Sequence, residues 1–123
     1  MTTPRYHKDL IAWQKARRLA VLIYHTTAAF PKTEQHGLMS QTRRAAISVL
    51  SNISEGAARG TNKEFRRFLY TARGSLAELE AQLLVAEDLG FLASDITPHS
   101  EIAEVGRLIN GLLKALQSNL SSG

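Results

Sequence analysis

Apolar residues in this chain recur every three or four positions in four separate stretches, and nowhere do they alternate in the sustained two-residue period of a strand. The first set is Leu10, Trp13, Ala16, Ala20, Ile23, Tyr24, Thr27 and Phe30. Asp9 is placed to cap this helix and Pro31 to bound it. The second set is Leu38, Met39, Thr42, Ala46, Val49, Leu50 and Ile53, running out near the glycines of "EGAARG". Thr61 and Glu64 in "TNKE" have capping-box spacing and start a third helix. Its apolar residues are Phe65, Phe68, Leu69, Ala72, Leu76, Leu79, Leu83 and Ala86, and Gly90 is the expected C-terminal cap. The fourth set, Ile102, Val105, Leu108, Ile109, Leu112, Leu113 and Leu116, opens at Thr97 and Pro98.

Four amphipathic helices on short connections predict an all-α fold, an antiparallel up-down-up-down four-helix bundle. A chain of 123 residues has interior for one core, so 1–123 reads as a single domain. Its ends, about 1–8 and 118–123, are expected to be flexible. The longest apolar run, "LAVLIY", is far too short to cross a bilayer, and "MTTPRYHKDL" lacks the apolar stretch of a signal peptide. No cysteine is present, which excludes disulfides and thiolate metal sites. The expectation is a cytoplasmic protein with no membrane contact.

One segment departs from a plain core helix. In "SVLSNISEGAARGTNKEF" small polar residues interleave with the apolar period. Gln41, Arg44, Ser48, Asn52, Glu55 and Arg59 fall in one narrow line along the flank of the second helix, with Ala45, Ser51 and Gly56 nearby. Small residues permit close helix approach, and serine and asparagine can hydrogen-bond across the contact. Two readings stand. The line is a seam inside the bundle, with Asn52 and Glu55 satisfied by neighbouring backbone or by Arg44; or it joins subunits and fixes their register.

Charge is unevenly distributed. Residues 1–73 carry 13 Lys/Arg against 4 Asp/Glu, whereas residues 74–123 carry 2 against 7. Such asymmetry suits either a polyanion partner or self-association through opposite charges. On the third helix Lys63, Arg66, Arg67, Tyr70 and Arg73 are expected on the face opposite Phe68, Ala72, Leu76 and Leu79. Arg59 stands just before them, and Arg43 and Arg44 lie on the preceding helix. Guanidinium groups pair with phosphates and an aromatic among them stacks on unpaired bases. A charge run on a helix is also what an ordinary solvated face looks like.

Nothing points to catalysis. His7, His25, His36 and His99 have no partner at metal-ligand spacing, and the paired Glu-x-x-His elements of a di-iron bundle are missing. Glu78, Glu80, Glu87, Asp88, Glu101 and Glu104 read as solvated faces pairing with basic groups. No nucleophile-elbow context surrounds any serine, and "RGTNK" is not a Walker loop. The expectation is a non-enzyme without cofactor or metal.

The stretches "DLIAWQKARRLAVLIY", "FPKTEQHGLMSQTRRAAISVLSNISEGAARGTNKEFRRFL" and "ARGSLAELEAQLLVAEDLGFL" resemble, in that order, the bacterial four-helix-bundle proteins encoded in intervening sequences of large-subunit (23S) ribosomal RNA genes. The accessory variability protein of diversity-generating retroelements looks like a relative. "QTRRAAISVLSNISEG" followed by "KEFRRFL" is the distinctive part, and Ser54 departs from it where alanine is expected. The resemblance implies a ring-like homo-oligomer, a pentamer, with a basic surface or channel, and for the retroelement relatives it further implies binding to nucleic acid and to a reverse transcriptase. By position it offers Arg43, Arg44, Arg59, Lys63, Arg66, Arg67 and Arg73 for that surface. It makes the "SNISEG" element the tight packing that holds the protomer or ring together, and Gln41, Ser48, Asn52, Glu55 and Gly56 are the expected oligomer or packing seam. The other expectation is a structural or adaptor protein whose basic face docks an acidic protein partner or its own acidic half.

Overall fold

The computed structural model describes His7 and residues 10–122, with side chains as far as Gln117. Four α-helices account for nearly all of it: α1 (Ile11–Thr27), α2 (Leu38–Ala58), α3 (Asn62–Asp88) and α4 (His99–Ser122). Among the described residues there is no strand. Each helix packs on the next, and α4 returns to α1, while the diagonal pairs α1–α3 and α2–α4 stay apart. The result is a four-helix bundle around one core. Ile23, Ile53, Leu69, Leu79, Leu83, Ile109 and Leu116 are fully enclosed, each worth about 1.5–3 kcal/mol of burial. Thr27 and Thr42 also sit in this interior. Their hydroxyls return to the carbonyls of Ile23 and Leu38, at 2.7 and 2.6 Å, which removes the cost of burying them.

The helix ends follow the local chemistry with some differences from expectation. Asp9, expected to cap α1, lies outside the described residues, as do most of the ends expected to be flexible. Leu10 occupies the cap position and makes no side-chain cap bond. The helix stops at Thr27, and Phe30, counted in its apolar set, is buried from the turn beyond. A short 3-10 turn, Lys32–Glu34, then leads to α2. Glu34 Oε1 accepts the Leu38 N–H at 3.1 Å, so a carboxylate four residues upstream caps α2 in place of a cap side chain at Gly37. At α3, Thr61 Oγ1 accepts the Glu64 N–H at 3.2 Å, the forward half of the capping box, while the Glu64 carboxylate turns to Arg67. The far end closes as a Schellman motif: Gly90 N–H reaches Glu87 O and Phe91 N–H reaches Ala86 O, with Gly90 at φ 79°.

The α2–α3 turn is the tightest part of the molecule. Gly60 takes φ 87° between the two helices, and Gly56 is buried against the start of α3. A Cβ on Gly56 would stand 2.7 Å from Phe68 Cβ and 3.0 Å from Phe65 Cδ1. Phe68 Cβ is fixed to the α3 backbone and cannot rotate aside. Further along the same contact Ser48 and Ser75 share a hydrogen bond of 2.8 Å. Across the other side of α2, the Trp13 indole N–H donates to Ser54 Oγ at 2.7 Å. Ser54, where the resemblance led to an expectation of alanine, thus satisfies a half-buried indole that an alanine could not.

At the opposite end Glu87 and His99 tie α3 to the start of α4 through a 2.7 Å contact. Expected from sequence to be a solvated carboxylate, Glu87 is in fact only 15% exposed at its side chain. Hydrogen bonds from Thr97 and then His99 hold its carboxyl below the ordinary value of 4.5, against the opposing effect of desolvation.

Gly56→Ala gains about 1 kcal/mol of helix propensity but overpacks a rigid contact, for an expected net loss of about 1–2 kcal/mol in urea unfolding. Gly74→Ala, with nothing within 4 Å of the new Cβ, instead stabilises by about 0.5–1 kcal/mol. The depressed carboxyl of Glu87 contributes stability that is complete above 4.5 and lost as pH falls through its lower folded value. Glu87→Gln therefore melts below wild type at neutral pH, and the two melting curves converge under acid.

Candidate nucleic-acid interface

The eight residues expected to contact nucleic acid do not share one set of contacts. The structure divides six of them among three places by what lies beside each, with Arg44 and Lys63 outside those contacts. Arg43 belongs to the α1–α2 contact. Its Nε donates to Thr27 Oγ1 at 2.9 Å and its Nη2 to Tyr24 O at 3.1 Å, and its guanidinium lies 4.6 Å from the centre of the Tyr24 ring. Tyr24, expected in the core of the first helix, is 43% exposed and serves as the platform for this arginine. Arg44, one residue on, is exposed and lies outside this contact.

Arg59 and Arg67 meet over the Phe68 ring at 4.9 and 4.5 Å from its centre. Each also holds a nearby carboxylate. Arg59 reaches Glu55 at 2.9 Å, and Arg67 makes a two-pronged contact with Glu64 at 2.9 and 3.1 Å. The Arg67 hydrogen bond holds the Glu64 carboxyl below its ordinary value. The helix turn sets this pairing, at i,i+4 and i,i+3, so the local net charge of this cluster is small. Lys63 is close by in sequence and exposed.

The third place is the α3–α4 face. Arg66 donates to the Leu113 carbonyl of α4 and, through Nη2, to Tyr70 Oη at 3.1 Å. Arg73 Nη1 donates to Asn110 Oδ1 of α4 at 3.1 Å. Both guanidinium groups approach the Tyr70 ring, 5.5 and 4.8 Å from its centre, and the ring is 46% exposed. No salt bridge among the described residues involves either arginine. Neutral acceptors orient these cations without cancelling them. Arg67, expected on the same line, instead points to the α2 side with Phe68.

The polar line on α2 also divides. Ser48, Asn52 and Gly56 face α3 within the chain: the Asn52 amide donates to Ser48 O at 2.8 Å and to Ser48 Oγ at 3.1 Å, and Ser48 meets Ser75. Glu55 pairs with Arg59 rather than Arg44, and Gln41 is exposed. Sequence reasoning missed Asn110, Ser75 and the Leu113 carbonyl, since each partner lies on another helix. The carboxylates behave mostly as expected of surface groups, with Glu104 on Lys15 at 3.4 Å and Glu78 on Gln82 at 3.2 Å. Among the described residues no three histidine or carboxylate side chains gather as a metal site, and no helix is long and apolar enough to cross a membrane.

The profile of the 23S rRNA-intervening sequence proteins matches residues 8–111, from the start of α1 into α4. The chain belongs to that family. The matched range includes the α2–α3 turn, Arg66, Tyr70, Arg73 and Asn110, and stops short of Leu113. No curated protein matches the chain.

The anchoring of Arg43 has a measurable consequence. Thr27→Val keeps the shape of the side chain but strands the Arg43 Nε–H, and is expected to cost about 1–3 kcal/mol. Combined with Arg43→Met, the two losses fall short of additivity by at least about 0.5 kcal/mol in a double-mutant cycle read by urea unfolding.

Proposed function

We propose that this protein is a non-enzymatic, oligomeric four-helix bundle of antiparallel, up-down-up-down topology that binds nucleic acid with little sequence specificity. The topology is supported by which ends meet: Trp13 with Ser54 and Thr27 with Arg43 across α1 and α2, Ser48 with Ser75 across α2 and α3, Arg66 with Leu113 across α3 and α4. The observation that carries the binding reading is the Arg66–Tyr70–Arg73 ladder, two cations that have no carboxylate partner among the described residues and that bracket an exposed ring. Guanidinium donors contact phosphate oxygens, and the ring offers a stacking face to an unpaired base. Lys63 extends the same positive end of α3. Assembly into a homopentamer, as the family resemblance implies, repeats the ladder around an axis and raises the local potential of each copy.

Binding of this kind weakens steeply with salt as counterions are released. The double variant Arg66→Glu, Arg73→Glu is expected to bind structured RNA and duplex DNA at least about tenfold more weakly at low salt. Its log–log salt slope on duplex DNA should be shallower by about 0.9 for each phosphate that the variant no longer neutralises. Light scattering should show its oligomer unchanged. Unchanged affinity, or no binding by wild type to either nucleic acid at low salt, rejects the proposal. Dissociation of the variant oligomer would favour an adaptor or assembly role for this face.

A further inference from the structure

Arg43, excluded from the α3–α4 ladder, lines an open cavity of about 380 Å³ beside the α1–α2 connection. Its walls include Tyr24, Phe30, Lys32, His36, Ser40 and Arg43. Three features suit it to a ligand. Arg43 is held in place from behind by Thr27 Oγ1 and Tyr24 O, so its guanidinium is oriented before anything binds. Lys32 and His36, both exposed, add nitrogen donors at the rim. Among the described residues no carboxylate lines the cavity, and the nearest one along the chain, Glu34, accepts the Leu38 N–H. The remaining wall joins Gln35 to the apolar Ala28, Phe30 and Met39, and Tyr24 presents an aromatic ring. The volume exceeds what an inorganic phosphate fills and falls within the range of small-molecule pockets.

We propose that this cavity binds a phosphate monoester carried on a flat ring, a nucleoside 5′-monophosphate being the type. Arg43, Lys32 and Ser40 take the phosphate oxygens, and the ring lies along Tyr24 and Phe30. The group is either a free nucleotide or the 5′-phosphorylated end of an RNA. The site shares no residue with the Arg66–Tyr70–Arg73 ladder, so the two proposals stand or fall separately.

Calorimetric titration of the full chain with AMP, adenosine and inorganic phosphate tests it. AMP should saturate at one per chain with a Kd of about 10 µM to 1 mM. Adenosine and phosphate should each bind at least about tenfold more weakly, because each lacks one half of the recognised group. Lys32→Ala and His36→Gln, both exposed positions, should each weaken AMP severalfold with unchanged melting temperatures. A 5′-phosphorylated trinucleotide that displaces AMP, where its 5′-hydroxyl counterpart does not, identifies a chain end as the ligand; failure of both to displace it confines the site to the free nucleotide. The proposal is overturned by an absence of saturable AMP binding, by equal affinity for AMP and phosphate or for AMP and adenosine, or by AMP affinity that both substitutions leave untouched.

Discussion

The missing side chain of Gly56 fixes the distance between α2 and α3, and much of the molecule follows from that distance. With any Cβ in that position, Phe68 could not lie where it does, its own Cβ being 2.7 Å from the site of the absent atom. Phe68 in turn is the shelf over which Arg59 and Arg67 meet. The turn between the helices is short and closed by Gly60 at φ 87°, so the two helices leave it in a single register. That register sets Ser48 opposite Ser75 along the same seam. It also decides how α3 is rotated, and therefore that Arg66 and Arg73 point to α4 while Arg67 points to α2. A small residue at one position thus sorts the cations of a neighbouring helix.

The helical period discloses the number and extent of the helices because burial of an apolar face acts on every turn, and its signal accumulates along each segment. The second helix shows how far this reaches. Val49 and Ile53 are legible as core, and the polar line beside them is legible as a flank. Whether Ser48 bonds to its own chain or to another copy depends on a hydroxyl of α3, 27 residues away in sequence. Ion pairs inside a helix, such as Glu64 with Arg67, follow from spacing. The Arg73 contact to Asn110 and the Arg66 contact to the Leu113 carbonyl do not, because they need the rotation of α4 about its own axis. Tyr24 departs from expectation for a related reason: it sits at the edge of the apolar stripe, where a tyrosine can face either the core or an arginine.

Arginine is the residue most affected by this distinction. In each of the three settings the guanidinium stacks on an aromatic ring, yet the electrostatic consequence differs. Beside Glu55 or Glu64 the pair is nearly neutral at a distance, and such exposed pairs add little to stability. Buried in part against Thr27 and the Tyr24 carbonyl, Arg43 is a fastener between α1 and α2. Against the Leu113 carbonyl and Asn110 Oδ1, Arg66 and Arg73 keep their full charge while losing much of their freedom. The last two arrangements lower the entropic cost of gripping a phosphate without first giving the charge away. Counting basic residues on a helix cannot separate these cases.

The two proposed sites also divide by position, and electrostatics gives a reason for the division. Phe30 and Phe91 touch at 5.8 Å between ring centres, which places the Arg43 cavity at the end of the bundle where α3 passes into α4. Glu87, Asp88, Asp95 and Glu101 belong to that same end. At physiological salt the field of a charge decays over about 8 Å, so acidic side chains gathered at that end oppose a long polyanion laid across it. A small phosphate ester inside the cavity is much closer to Arg43 and Lys32 than to those carboxylates. The ladder, by contrast, lies on the half of α3 that follows the α2–α3 turn, where Lys63 adds to the charge and, among the described residues, no acid pairs with Arg66 or Arg73. The charge asymmetry of the sequence thus becomes an asymmetry of length scale, with the open face suited to a polymer and the acid-flanked cavity suited to a small ligand or to the tip of a chain.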